Sequence, residues 1–114
     1  MKFNYNNKVF KVAENTENGE TSSDTIFYYQ QEGNIVFASY SGGSVVKGNL
    51  LGTVDELGIL NFNYHQINTK GELMQGKCKS TPDLTAEGKI KLNEEWEWTS
   101  GDCSKGKSVI IEVD

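Results

Sequence analysis

Few residues in this chain carry chemistry. His65 is the only histidine, so any Ser–His or Cys–His catalysis must run through it. Strand alternation in GILNFNYHQI turns His65 outward, away from an inward Cys78, and it reads as a surface residue. Cys78 and Cys103 are the two cysteines. Neither belongs to a CxxC pair, and with His65 they fall short of the about four ligands a structural zinc needs. No metal and no cofactor is expected. Residues 101–108, GDCSKGKS, match the phosphate-loop pattern GxxxxGK[ST]. That loop works by setting phosphates on a helix N-terminus. Here the β-like run VIIEVD follows, so a hairpin loop is expected instead. The acids Glu94, Glu95, Glu97 and Asp102 invite a glycosidase reading, which needs two carboxylates across a cleft. Glu94 alternates away from Glu95 and Glu97, so no in-strand pair converges. No catalytic residue is assigned, and an enzyme is not expected.

The elements that would position these residues are strands. Gly33, Gly48, Gly58, Gly71, Gly88 and Gly106 each precede a run of strand character: GNIVFASY, GNLLGTV, GILNFNYHQI, GELMQGKC, GKIKLNEEWEW and GKSVIIEV. Glycine supplies the positive φ that hairpin turns demand. Tyr40-Ser41-Gly42-Gly43 reads as one more hairpin turn. About eight strands follow by this reading, near 8–13, 24–31, 34–40, 45–54, 59–67, 73–79, 89–98 and 108–113. Segment 14–23 is a polar loop, and 80–88 is a loop carrying Pro82. No helix is expected, because Gly58 interrupts the strongest helical candidate, DELGILNF. The fold class is all-β: an antiparallel up-and-down meander closing into a small calycin-like barrel, which removes exposed edges. A two-sheet sandwich is the alternative. Residues 1–114 read as a single domain.

Alternation also assigns an inner face. It holds Val46, Gly48, Leu50, Gly52 and Val54; then Leu60, Phe62, Tyr64 and Gln66; then Met74, Gly76 and Cys78; then Ile90, Leu92, Glu94, Trp96 and Trp98. Small residues beside aromatics and a few polar groups suit a ligand cavity. Tyr64, Gln66, Glu94, Trp96, Trp98, Gly48 and Gly76 are therefore the candidate ligand-binding residues. A cavity of at least a few hundred Å3 is expected on that reading. On the other reading, the glycines relieve strand coiling and the tryptophans fill the space. An inward carboxylate is costly unless paired or neutral. Glu94 is thus a candidate ligand anchor, with a solvated place at the mouth or a lysine partner as the alternative.

A chain of 114 residues with 36% hydrophobic and 11% aromatic residues can build one packed core. The net charge of −5 disfavours nucleic acid and anionic membranes as partners. No long apolar run is present, MKFNYNNKVF is not expected to act as a secretion signal, and a cytoplasmic protein with free thiols is expected. The partner expected first is a small molecule. The alternative is a protein-interaction or assembly module, including a homodimer. In FYYQQ, Phe27 and Tyr29 face opposite to Ile26 and Tyr28, which leaves aromatic surface outside.

The residues NYNNKVFKVAENTENGETSSDTIFYYQQEGNI, YSGGSVVKGNLLGTVDELG, YHQINTKGELMQGKCKSTP and GKIKLNEEWEWTSGDCSKGKS carry a resemblance across nearly the whole chain. It resembles a family of small bacterial proteins of about this length that often bear the label N-acetylglutamate synthase. The resemblance implies an antiparallel β-barrel-like meander. The labelled activity needs an acetyltransferase fold, whose [RQ]xxGx[GA] loop opens a helix and holds the pyrophosphate of acetyl-CoA. This chain has no such loop, so the label is read as an error.

Overall fold

The computed structural model describes residues 3–113. Eight strands run in chain order: β1 Lys8–Asn15, β2 Ile26–Glu32, β3 Ile35–Gly42, β4 Val45–Val54, β5 Leu60–Asn68, β6 Leu73–Leu84, β7 Ile90–Trp98 and β8 Lys105–Val113. Each pairs antiparallel with the next, and β1 pairs with β8, so the sheet closes into a barrel. The sandwich alternative is thereby excluded. The described residues contain no helix, hence none long and apolar enough to cross a membrane.

Inside the barrel, cross-strand pairing sorts the inward side chains into rows. One row runs Phe27, Tyr40, Gly48, Gln66 and Met74 from β2 to β6. The next runs Tyr29, Ala38, Leu50, Tyr64, Gly76 and Trp98 from β2 to β7. Below it lie Val36, Gly52, Phe62, Cys78, Trp96 and Gly106, from β3 to β8. Glycines recur where rings need room. Gly48 lies opposite Tyr40, Gly76 opposite both Tyr64 and Trp98, and Gly106 opposite Trp96. A Cβ at Gly48, Gly76 or Gly106 would collide with the ring of Tyr40, Tyr64 or Trp96 respectively. Each ring therefore lies on its neighbour's bare backbone. Gly48 and Gly106 are thus strand residues shaped by packing, not turn glycines. Gly33, Gly58, Gly71 and Gly88 do adopt the positive φ of turns.

Three details depart from the sequence pattern. A register shift between Val45 and Lys47 turns Val45 inward and leaves Val46 58% exposed, against the inward place expected for it. Strand β6 continues through Pro82 to Leu84, where a loop was expected. Pairing with β5 stops at Ser80, so Pro82 faces only β7 and its missing N–H breaks no ladder on the other side. Strand β8 begins at Lys105, inside the phosphate-loop match, and GDCSKGKS is a hairpin feeding a strand.

Both ends of the barrel are covered. At the end bearing the β2–β3, β4–β5 and β6–β7 turns, the fully buried Tyr5 donates its hydroxyl to the Gly58 carbonyl at 2.6 Å. The connection from β1 to β2, residues 16–25, covers the opposite end. It is tied down by Trp98 Nε1 donating to the Asn18 carbonyl at 3.0 Å, and by Asn18 Nδ2 donating to the Lys105 carbonyl at 2.8 Å.

Overpacking a filled core costs about 1–3 kcal/mol. Gly76→Ala is expected to lose stability of that order in urea denaturation, because its new methyl group meets the Tyr64 ring. Combining it with Tyr64→Leu should recover part of the loss, as a coupling energy between touching residues.

Candidate functional site

The chemistry of the barrel interior is concentrated toward the end covered by residues 16–25. One cavity lies there, lined by Glu20 and Thr21 from that connection and by inward residues of β2 to β8. Aromatic rings form much of its wall. Phe62, Tyr64, Trp98 and Trp96 follow one another edge to face, with centroids 6.4, 5.6 and 5.6 Å apart. Phe27 stacks on Tyr40 at 4.7 Å. Such contacts hold rings in fixed orientations.

Glu94 forms the polar part of the wall farthest from Glu20 along β7. It belongs to the row Ser80–Glu94–Ser108, contributed by β6, β7 and β8. Ser80 Oγ donates to Glu94 Oε2 and Ser108 Oγ to Oε1, each at 2.8 Å. Among the described residues neither oxygen meets a lysine, and Glu94 is only 8% exposed. It is thus buried and held by two hydroxyls, rather than solvated or ion-paired. Burial pushes its pKa above the ordinary carboxylate range, and the two serine hydrogen bonds pull part of the way back. Cys78 lies close by, its sulfur 3.9 Å from Ser80 Oγ. Burial, with the Glu94 charge second, raises the Cys78 thiol well above its usual value, so it stays protonated and is a poor nucleophile. His65 is exposed on the outer surface of the same wall that holds Cys78 inside.

At the other end of the cavity the polar groups are amides. Tyr40 donates its hydroxyl to Gln66 Oε1 at 2.8 Å. Gln66 Nε2 in turn donates to Glu20 Oε1 at 2.8 Å. Asn68 Nδ2 donates to Glu20 Oε2 at 2.8 Å and to Glu72 Oε1 at 2.9 Å.

All seven candidate residues face the interior. Tyr64, Gln66, Glu94, Trp96 and Trp98 line the cavity, whereas Gly48 and Gly76 are covered by the rings of Tyr40 and Tyr64. The glycines therefore open no empty space. The cavity measures about 50 Å3, not the expected few hundred. Phe27, Tyr40, Phe62 and the tryptophans occupy the remainder. Sequence reading missed Glu20, Tyr40, Asn68, Ser80 and Ser108. Ser80 continues the inward phase of β6 just beyond the limit 73–79 expected for it, and Ser108 opens the expected strand 108–113, whose faces were not assigned. Glu20 sits in an irregular segment, where no periodicity could mark it.

These features define a small closed antiparallel barrel with an aromatic-walled, polar-tipped interior. A family model described as avidin-like protein matches residues 3–113, and the chain belongs to that family. No curated protein and no solved structure matches it.

Folding favours the protonated form of Glu94, because burial raises its pKa. The stability tied to this group is full below the ordinary value of 4.5 and falls as pH rises through the higher folded value. Glu94→Gln removes that titration. Its thermal stability relative to wild type is expected to improve as pH rises above the ordinary value of 4.5 and to level off once the raised folded value is passed. An unchanged difference across that range would show that Glu94 is not desolvated.

Proposed function

We propose that this protein binds a small molecule inside the barrel, at the end covered by residues 16–25. The observation that carries the reading is a cavity with a desolvated carboxyl group at one end, the Gln66 amide and Glu20 at the other and aromatic walls between them. Sites of this composition hold a flat apolar body by its faces and fix it by a few polar contacts. Glu94 Oε1 and Oε2 accept hydrogen bonds, so the inner end suits a ligand bearing N–H or O–H donors. Membership of the avidin-like family supports a small-molecule ligand. Anything beyond a few atoms in size needs the Glu20 segment to move, because only about 50 Å3 is open with it in place.

The reading is a binding protein and not an enzyme. Cys78 is protonated by burial, His65 is exposed on the far side of the wall, and no helix among the described residues offers an acetyl-CoA pyrophosphate its N-terminus. The N-acetylglutamate synthase label gains no support from these residues. Free thiols at Cys78 and Cys103 fit a reducing, cytoplasmic setting.

Trp96 and Trp98 are the two tryptophans, and both line the cavity, so their fluorescence reports its occupancy. Titration with a panel including biotin, glutamate and acetyl-CoA is expected to give a saturable change with a compound of the class described. Glu94→Gln should weaken it, because an amide N–H replaces one of the acceptor oxygens. A flat response to every compound would argue for a filled core.

A second reading is an assembly surface. Tyr28, Ile35 and Leu51 are about half exposed or more on the outer faces of β2, β3 and β4. Sedimentation showing concentration-dependent dimers that Leu51→Lys abolishes is the expected result on that reading.

A further inference from the structure

Glu20 makes contacts that a bound ligand would make. Its two carboxylate oxygens each take a hydrogen bond from a buried amide of β5, Gln66 Nε2 and Asn68 Nδ2, both at 2.8 Å. The amides are 2% and 4% exposed. Neither needs Glu20 to set its orientation. Gln66 Oε1 is held by the Tyr40 hydroxyl at 2.8 Å, which leaves Nε2 aimed at the cavity mouth. Asn68 Oδ1 is held by the backbone N–H groups of Lys70 and Glu72, each at 3.0 Å, which fixes Nδ2 likewise. The two donors are therefore preorganised for a planar group with two acceptor oxygens, and they persist when Glu20 leaves.

Neutral amides, and not cations, hold the Glu20 carboxylate. No lysine lies within ion-pair distance of its carboxylate among the described residues. The Asn68 NH2 group gives one hydrogen to Glu20 and the other to Glu72. Residues 16–25, which carry Glu20, form no strand. A carboxylate from solution that brings an apolar body for the aromatic wall matches the two hydrogen bonds of Glu20 and adds packing that the Glu20 side chain lacks.

We propose that Glu20 is a built-in stand-in for the carboxylate of the ligand, and that the site takes small aryl or alkyl carboxylates by displacing it. The proposal rests on the cavity reading above and adds the ligand class. A ligand must then expel Glu20, so its apparent affinity is its intrinsic affinity multiplied by the fraction of molecules with Glu20 unseated.

The test uses the full chain with phenylacetate and its neutral counterpart phenylacetamide, read by tryptophan fluorescence and calorimetry. Glu20→Ala is expected to bind phenylacetate at least about tenfold more tightly than wild type, with no comparable gain for phenylacetamide. Glu20→Gln keeps the side-chain volume but sets an amide N–H against the donor amides, and it should show the same gain if the alanine variant folds poorly. Near-UV circular dichroism identifies the folded variant to be read. A folded variant that binds phenylacetate no better than wild type overturns the proposal. If it gains phenylacetamide equally, the carboxylate preference fails while the cavity reading stands. If it binds neither probe and wild type answers to no compound of the earlier panel, both readings fail.

Discussion

An eight-stranded barrel has a narrow interior, and this one must enclose rings from five of its strands. It does so because glycine stands beside the largest of them. Tyr40, Tyr64 and Trp96 each lie over a glycine on the next strand, where any Cβ would collide. This ring-on-backbone packing sets how closely the walls approach and fixes the tilt of the rings. The orientation of the cavity walls follows from it, since Tyr64, Trp98 and Trp96 are held edge to face by the same arrangement. So does the small size of the cavity, about 50 Å3.

Within that apolar lining, register decides which polar groups meet. Ser80, Glu94 and Ser108 come together because three neighbouring strands present them in one row. The row gives a desolvated carboxylate a hydroxyl on each oxygen. Toward the covered end, Tyr40, Gln66 and Glu20 form a relay in which each hydrogen bond orients the next group. The cavity is thus polar at its two ends and aromatic between. The serine-held Glu94 carboxyl at one end and the Gln66–Glu20 pair at the other make the two poles of the cavity chemically different.

Most of the architecture was legible in local pattern. Alternation alone set Ile90, Leu92, Glu94, Trp96 and Trp98 on one face of β7, and all five are buried. Turn glycines placed the hairpins. Errors arose where a local rule met a non-local condition. Val46 was misplaced because one extra residue in the pairing with β5 reverses the phase. The end of β6 was drawn too early because Pro82 reads as a breaker, yet β5 had already ended beside it. The meaning of Gly48 and Gly76 was ambiguous, since a gap and a seat for a ring look alike until the neighbouring strand is in register. Glu20 was invisible. Its role depends on an irregular segment folding back across the barrel to residues 46 and 48 positions away in sequence.

The central claim is that the covered end of the barrel is a preformed chamber and not a gap that Glu20 happens to fill. The most direct measurement is a crystal structure of the Glu20→Ala variant. The account predicts that Gln66 and Asn68 keep their amides aimed at the vacated position, with Tyr64 and Trp98 unmoved and the cavity enlarged. Collapse of Tyr64, Trp98 or Leu50 into that space, with the two amides turned to other partners, would contradict it.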